Sequence, residues 1–340
     1  MQPKKLVIIL LILFCTFIIY NFFTIWYYLI IAPVGESEIK KIVEEVNSTS
    51  GTYQKLEKIA KWEGENIAYI YGINPNFSIP SYHFYWINGE LKIRALENSG
   101  FNGDPRWIAY FKVGGCGELA RLFCEAAKRA GFEARVVSDL GYDHAWVEVK
   151  INNSWVVADP TVYWLYVNYP EKYPNWNKLW FNNESWANLI DFSRVVTVLP
   201  NGSVLDLTSN YTKTYNVTIT IDQNVEKGIL KVTTWKGSVE RTVYSKAVNK
   251  SDTVNLALAT RIYKFELIVP TWYFLEGYGA EVRHIGDSSS EYVKLKVNLY
   301  RETEYYFVFV GLLLGISICF LCYEVVLIYR KLKEDFGKTR

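Results

Sequence analysis

The chain has 340 residues and a net charge of +2, which is enough length for two modest domains with additional segments. The near-neutral charge, without a basic stripe, a nucleic-acid motif or a phosphate-binding loop in the sequence, argues against nucleic acid as a partner. Of the five cysteines, only Cys116 and Cys124 lie outside strongly hydrophobic stretches. Their separation along one predicted helix is too long for a disulfide, so Cys116 is expected to be a free thiol.

The N-terminal segment has the composition of a membrane helix. Residues 1–5 carry Lys4 and Lys5, and residues 6–32 form an uncharged stretch of 27 residues. A secretory hydrophobic region is shorter, about 7–15 residues, so the pattern predicts a transmembrane helix with residues 1–5 in the cytoplasm. Cleavage after an unusually long signal sequence is the alternative.

Helical patterns follow at Glu36–Val46 and Thr52–Tyr69, and the strongest one begins at Cys116. From there apolar residues recur at helical spacing over roughly four turns, with charged residues on the opposite face. Gly131 is a suitable helix stop. The free N–H groups and the positive dipole end of this helix favour a thiolate at Cys116 and could hold a developing oxyanion.

The next predicted elements are the strands Ala134–Ser138, His144–Ile151 and Ser154–Asp159, with Asn152-Asn153 as a two-residue hairpin turn. In that register Trp146 opposes Asp159, and His144 becomes a diagonal neighbour of Asp159 on the same face, at about 7–8 Å between Cβ atoms. This distance allows an imidazole–carboxylate hydrogen bond. Cys116, His144 and Asp159 are therefore the nucleophile, base and orienting group that thiol catalysis requires.

Three motifs in this region resemble the core of the transglutaminase-like superfamily: GGCGELARLFCEAAKRAGFEARVV, DHAWVEV and WVVADP. The closest motif match is to the peptide:N-glycanase branch, and the likeness covers about residues 54–164. The resemblance implies an α+β fold with a papain-like core, in which the cysteine begins a helix and the histidine and aspartate lie on antiparallel strands. Carried over, Cys116 would be the nucleophile, His144 the base and Asp159 the orienting group, within a domain at residues 33–193.

Two groups are candidate oxyanion donors in this core. They are the backbone N–H of Cys116 and the indole of Trp107, for which core packing is the more ordinary role. The zinc-binding cysteine pairs found upstream in much of the peptide:N-glycanase branch are absent from the sequence. No calcium-binding loop is visible either, so neither a metal ion nor another cofactor is expected.

Aromatic residues supply candidate substrate contacts. Trp146, Tyr163 and Trp164 are candidate substrate-binding residues, and the last two belong to a segment at 161–186 that is dense in aromatic rings. One interpretation of this segment is a stacking platform for a sugar or an extended peptide. The other is an irregular loop packed on the core or against the membrane.

The sequence changes character at about residue 194. Short alternating runs, punctuated by turn pairs such as Asn201-Gly202, predict an all-β, sandwich-like domain at 194–303 that serves as a spacer or a binding module. Residues 305–329 predict a second transmembrane helix, followed by a basic cytoplasmic tail at 330–340. Gly311 and Gly315 form a G-x-x-x-G pattern that could pair with the first span or form a homodimer.

Eight N-x-[ST] motifs lie between the two predicted spans. These candidate glycosylation sites are Asn47, Asn76, Asn152, Asn183, Asn201, Asn210, Asn216 and Asn249. Glycan acceptors are exposed and extracytoplasmic. The expected location is therefore the cell membrane, with two spans, both termini in the cytoplasm and the bulk of the chain outside it.

Together these features predict a membrane-anchored, extracytoplasmic thiol enzyme that cleaves or transfers an amide or peptide bond through an acyl-thioester on Cys116. Cysteine peptidase or amidase activity is favoured because no acidic pocket for an amine is evident in the sequence. A protein cross-linking transglutaminase uses the same intermediate and stays open, as does a non-catalytic surface binding or assembly protein. The expected partners are a protein or peptide substrate, which could be glycosylated, and the lipid bilayer.

Overall fold

The computed structural model describes residues 3–69, 85–87, 90–92, 103–181, 183–222, 224–272, 275–288, 290–302, 310–321 and 323. The chain divides into two compact units, Met1–Thr212 and Lys213–Arg340. The helices of the first unit are α1 (Pro3–Trp26), α2 (Ala32–Asn47), α3 (Thr52–Asn66), α4 (Pro105–Phe111), α5 (Cys116–Arg129), α6 (Pro160–Asn168), α7 (Asn183–Ala187) and α8 (Thr208–Tyr211). Its strands are β1 (Ala68–Tyr69), β2 (Tyr85–Ile87), β3 (Glu90–Lys92), β4 (Val113–Gly114), β5 (Ala134–Asp139), β6 (His144–Ile151), β7 (Ser154–Ala158), β8 (Val195–Val198) and β9 (Val204–Asp206).

The helix α5 begins at Cys116, as its periodicity predicts, with Gly115 as the N-cap. The Glu118 side chain folds back and accepts a hydrogen bond from the Gly115 N–H at 2.9 Å. After the helix, Gly131 takes a positive φ of 91° that few other residues adopt, so the predicted stop is confirmed. The apolar face of α5 packs against β5 and β6 and contributes Leu119 to the buried core.

The main sheet of the first unit has the strand order β7-β6-β5-β8-β9 and is antiparallel throughout. Its β6–β7 hairpin turns at Asn152 and Asn153, with φ of 48° and 65°, which is the conformation of a type I′ turn. Val147 opposes Ala158 in this hairpin. The predicted two-residue turn and register are therefore confirmed, and Asp159 follows directly at the end of β7.

The boundary between the units differs from the expected position at residue 193/194. The strand β8 pairs with β5, with Val195 opposite Asp139, and so belongs to the sheet of the first unit. The Val195 N–H also donates to the hydroxyl of Thr208 at 3.0 Å. The first unit thus extends to Thr212. The expected boundary is wrong because an alternating run shows that a strand forms but does not show which sheet it joins.

The second unit contains β10 (Thr214–Ile221), β11 (Lys227–Lys236), β12 (Val239–Asn249), β13 (Thr253–Ala259), β14 (Arg261–Trp272), β15 (Leu275–Ile285), β16 (Ser290–Leu295) and β17 (Leu299–Glu302). They form a three-stranded sheet, β13-β10-β16, and a five-stranded sheet, β12-β11-β14-β15-β17. β16 contacts both β14 and β15, so the two sheets meet. Most pairs are antiparallel, while β10 and β16 are parallel. This is the two-sheet architecture that the alternating runs indicate.

The N-terminal helices are partly built into the first unit. A π-helical stretch, Tyr27–Ile31, joins α1 to α2. Its buried ends, Tyr27 and Ile31, pack with Trp107 of α4, and the Tyr27 hydroxyl donates to the Asp104 carboxylate. The last residues of the first predicted span therefore contribute to the core of the folded unit.

Among the described residues, no single helix is both long and apolar enough to cross a membrane. Leu11–Ile19 and Thr24–Asn47 meet that requirement by length and composition only as a pair, with a bend of 65° between them. Val310–Leu321 is a shorter apolar helix. The predicted spans 6–32 and 305–329 are thus not confirmed, and the tail at 330–340 lies outside the described residues.

Candidate active site

Cys116 occupies the first helical position of α5 and is partly exposed. Its sulfur lies 3.9 Å from the backbone oxygen of Asp143, a residue held in the left-handed region with φ of 59°. Beside it, a side chain added at Gly117 would meet no atom of the described residues within 4 Å. The N-terminal end of α5 places a positive dipole and unpaired N–H groups at the thiol, as expected for a nucleophile.

His144 begins β6, and its side chain is only 12% exposed. Its Nε2 atom lies 2.7 Å from Oδ2 of Asp159, which leaves Nδ1 for the thiol. Burial alone would lower the pKa of His144, but the Asp159 carboxylate and the Cys116 sulfur together outweigh it and raise the pKa from 6.5 to about 10. This shift favours the imidazolium form of His144, which is the form that stabilises a thiolate.

Asp159 is fully buried and is the N-cap of α6. Its Oδ1 atom accepts the backbone N–H groups of Thr161 (3.0 Å) and Val162 (3.2 Å). Its Oδ2 atom accepts His144 and the indole N–H of Trp186, the latter at 2.8 Å. The Asp-Pro sequence is itself a helix-start signal, with an acidic N-cap and proline at the first position. The capping role orients the carboxylate that faces His144.

A second buried carboxylate, Asp139, shapes the turn that leads into His144. Its Oδ1 atom accepts the N–H groups of Gly141 (3.0 Å) and Tyr142 (2.7 Å), and its Oδ2 atom accepts the N–H of Ser193 at 2.7 Å. Sequence reasoning missed this residue. An aspartate followed two residues later by glycine is a recognisable turn pattern, but the contact with Ser193 has no local signal.

The proposed oxyanion donor Trp107 is buried against other rings. Its ring centroid lies 4.2 Å from that of Phe111 and 6.5 Å from that of Tyr27. These contacts give it the packing role that was the alternative interpretation. Of the two predicted donors, the backbone N–H of Cys116 is the one whose placement at the helix start fits the expectation.

The three aromatic residues expected to bind substrate lie in the core instead. Trp146 and Trp164 are fully buried, and Tyr163 is only 4% exposed. The indole of Trp146 donates to the Tyr211 hydroxyl at 3.0 Å, and that of Trp164 donates to the backbone oxygen of Ile67 at 2.8 Å. The expectation is therefore wrong for this conformation, because neighbouring elements cover these rings and leave no surface for a substrate.

The same correction applies to much of the aromatic segment 161–186. Residues 160–168 form α6, and Trp180 and Trp186 are fully buried. Other rings of the segment are half-buried: Tyr166, Tyr169, Tyr173, Trp176 and Phe181. The larger part of the segment packs on the core, as one of the two interpretations anticipated.

The structure describes the side chains of six of the eight candidate glycosylation sites. The exposed ones are Asn47, Asn152, Asn201, Asn210, Asn216 and Asn249. Asn76 and the side chain of Asn183 lie outside the described part of the chain.

Gly311 and Gly315 lie in the apolar helix Val310–Leu321. Within the described ranges, no group of three or more His, Cys, Asp or Glu side chains is arranged to hold a metal ion.

Residues 68–160 match the family model described as the transglutaminase-like superfamily. That segment contains all three residues of the candidate triad, so Cys116, His144 and Asp159 lie in a transglutaminase-like domain. A solved structure titled "Crystal structure of a TGase" is 15% identical, with a TM-score of 0.27, over 37% of this chain and 31% of that one. This chain therefore matches about a third of that protein. No curated protein matches the chain at a significant level.

Proposed function

We propose that the protein is a thiol enzyme that cleaves or transfers an amide bond through an acyl-thioester on Cys116. The observation that carries this proposal is the 2.7 Å contact between His144 Nε2 and Asp159 Oδ2, beside a thiol at the start of α5. The raised pKa of His144 adds the charge state that such a nucleophile requires.

The chemistry follows from this geometry. The Cys116 thiolate bonds to the carbonyl carbon, and the displaced electron pair moves to the carbonyl oxygen, where N–H groups at the start of α5 stabilise it. As the C–N bond breaks, His144 donates its Nδ1 proton to the leaving nitrogen. The neutral imidazole then takes a proton from water, which attacks the thioester and releases the acid and the thiolate.

Hydrolysis is the favoured outcome, and transfer to an amine is the alternative. The partly exposed sulfur supports it, because water can reach the thioester without a dedicated acceptor pocket. An amine acceptor would enter the same intermediate in place of water. The substrate proposed is a protein or peptide amide.

We further propose that the protein is anchored in a membrane with this domain on the extracytoplasmic side. The bent apolar pair at the N-terminus and the shorter apolar helix Val310–Leu321 support the anchoring. The exposed N-x-[ST] asparagines support the location. The buried contact of Tyr27 with Trp107 would then hold the catalytic unit against the end of the first span.

The test is the alkylation rate of Cys116 against pH, followed by mass spectrometry of its peptide in the full-length chain in detergent. An activated thiolate gives a rate plateau that extends well below the free-thiol pKa of about 8.5. His144→Ala should abolish the plateau, and the matched variant Cys124→Ala, which changes a buried cysteine of the same helix, should retain it. A wild-type thiol that titrates near its ordinary pKa would contradict the proposal.

The second arm measures products. Amide and peptide libraries are incubated with and without a primary amine, and Cys116→Ala is the inactive control. Release of acid without amine dependence supports hydrolysis, whereas incorporation of the amine identifies a transglutaminase. An activated thiol with no product from either library would contradict an amide substrate.

A further inference from the structure

The Oδ2 atom of Asp159 receives two donors. One is Nε2 of His144 at 2.7 Å, and the other is the indole N–H of Trp186 at 2.8 Å. Both Asp159 and Trp186 are fully buried, so this hydrogen bond is shielded from water. Trp186 reaches the carboxylate from α7, a helix of only five residues that lies 27 positions along the chain from Asp159.

The indole of Trp186 also packs, at a tilt of 58°, against the ring of Trp146. Its ring centroid lies 4.8 Å from that of Trp146. Trp146 in turn lies nearly parallel to His144, with a centroid distance of 6.0 Å and an interplanar angle of 29°. The two tryptophans therefore contact both partners of the His144–Asp159 hydrogen bond, one through packing and one through an N–H group.

The indole N–H combines two properties that the other named donors to this carboxylate do not combine: it binds Oδ2, and it does not titrate. The backbone donors Thr161 and Val162 bind Oδ1 and would orient the carboxylate as a helix cap whether or not His144 were present. His144 gains and loses protons during catalysis. Trp186 alone among the donors named for Oδ2 holds that oxygen with a group that does not titrate.

We propose that Trp186 is a positioning residue for the triad, whose N–H presents Oδ2 of Asp159 to His144 and whose ring excludes water from their hydrogen bond. This inference rests on the proposed thiol chemistry of Cys116. A fixed carboxylate keeps the imidazole aimed at the sulfur through both halves of the reaction, when the charge on His144 changes. Loss of the N–H leaves Oδ2 of Asp159 held by His144 alone, so the carboxylate can rotate about its cap contacts.

Trp186→Phe in the full-length chain keeps an aromatic ring and removes the N–H. We expect the neutral-pH plateau of Cys116 alkylation to fall about tenfold, as for a modest misplacement of a catalytic group. We also expect the far-downfield NMR resonance of the His144 Nε2 proton to disappear through exchange with water. The matched control is Trp180→Phe, because Trp180 is equally buried but donates to the Tyr53 hydroxyl at 3.3 Å. It should retain both the plateau and the proton resonance.

If Trp186 has only a packing role, Trp186→Phe will lose thermal stability but keep both the alkylation plateau and the proton resonance. That result would overturn the inference. If Trp186→Phe does not fold, benzothienylalanine is introduced at position 186, since it has the shape of tryptophan without the N–H. The same two losses are expected there, and their absence overturns the inference. Failure of the proposed function is distinguishable, because it removes the plateau from the wild-type protein as well.

Discussion

Two carboxyl groups of the first unit, those of Asp159 and Glu63, have no exposed surface, yet their surroundings are opposite. Asp159 lies at the junction of β7 and α6 and receives four N–H donors. Glu63 lies on α3, and within the described part of the chain neither of its carboxyl oxygens has a hydrogen-bond partner of ordinary geometry. Burial raises the pKa of Glu63 well above its usual range, and the nearby backbone of Phe123 offsets only part of this effect.

This difference distinguishes a carboxylate whose charged form the fold stabilises, Asp159, from a carboxyl group that is buried without such donors, Glu63. Four donors suit a negative charge. They are His144 on β6, two backbone N–H groups at the start of α6 and the Trp186 indole on α7, and the tertiary fold brings them together. Glu63 is surrounded by apolar groups that favour its neutral form. Burial of a carboxyl group is therefore not by itself a sign of function. Convergent donors show that the fold stabilises the charged form, as they do for both Asp159 and Asp139.

The largest effect is expected for Asp159→Asn. An amide cannot accept on both sides, so its NH2 group would face a backbone donor or the Trp186 indole, and His144 would lose its orienting anion. We expect turnover to fall about 10³- to 10⁴-fold. Alkylation at neutral pH should fall only about 30-fold, because a thiol with the free pKa of about 8.5 is still about 3% thiolate at pH 7. The measurement is the alkylation plateau in the full-length chain.

Asp222→Asn is the matched control for that substitution. Asp222 also accepts a backbone N–H two residues ahead, that of Asn224 at 3.0 Å, but lies in an exposed turn of the second unit. It should leave the plateau unchanged. Equal rates for Asp159→Asn and the wild type would mean that the Asp159 site has no catalytic role.

A smaller but measurable effect is expected on the pH dependence of stability. The pKa of His144 is higher in the folded state, about 10, than its ordinary 6.5. His144 alone gives stability that is complete below about 6.5 and is lost as pH rises toward about 10, by about 1.4 kcal/mol per unit at the steepest. The proton that Cys116 releases when it becomes the proposed thiolate on folding cancels this loss below the free-thiol pKa of about 8.5, so the net decline falls between about 8.5 and 10. Urea unfolding at several pH values should show this decline, and His144→Gln should remove it.

His284→Gln is the control for the effect of replacing a histidine elsewhere in the chain. His284 lies in the second unit, 49% exposed and 3.4 Å from Asp287. Its replacement should preserve the decline seen in the wild type. An identical decline in His144→Gln and the wild type would show that other groups cause it.

The smallest effect is expected at Glu63, and it has the opposite sign. Because the pKa of Glu63 is raised on folding, the unfolded chain ionises first as pH rises above about 4.5, and the wild type loses stability in that range. Glu63→Gln cannot ionise in either state. We expect it to be more stable than the wild type by about 1–2 kcal/mol at neutral pH, with the difference vanishing below pH of about 4.

The measurement is the free energy of unfolding of Glu63→Gln and of Glu65→Gln, obtained by chemical denaturation at several pH values. Glu65 lies two residues further along α3 and is exposed beside Lys61. Its replacement should change stability little at any pH. A destabilised Glu63→Gln at neutral pH would imply that Glu63 has a partner that holds its charged form.

Local patterns predicted much of the triad. The 3.6-residue period identified α5 with Cys116 at its start, and the Asn152-Asn153 turn set the register that brings His144 beside Asp159. Two helices were missed despite usable signals. Asp159-Pro160 begins α6 and Asp104-Pro105 begins α4, each with an aspartate N-cap followed by proline.

Contacts between segments that are distant along the chain had no comparable local signal in the sequence. β8 joins the sheet by pairing Val195 with Asp139, and alternation cannot specify a partner so far along the chain. The same limit explains the misplaced domain boundary. It also explains why the burial of the Trp146 and Trp164 rings was not predicted, because the segments that surround them are remote in sequence.

The sequence by itself determined which residues could perform thiol chemistry and brought two of them into register, because helix period and hairpin turn are local properties of the chain. Only the tertiary structure decided what surrounds them. It buried the aromatic rings that were expected to meet substrate, and it brought Trp186 to the carboxylate of Asp159. The physical reason is that a side chain's exposure and hydrogen-bond partners depend on which distant surfaces cover it, and packing alone sets those surfaces.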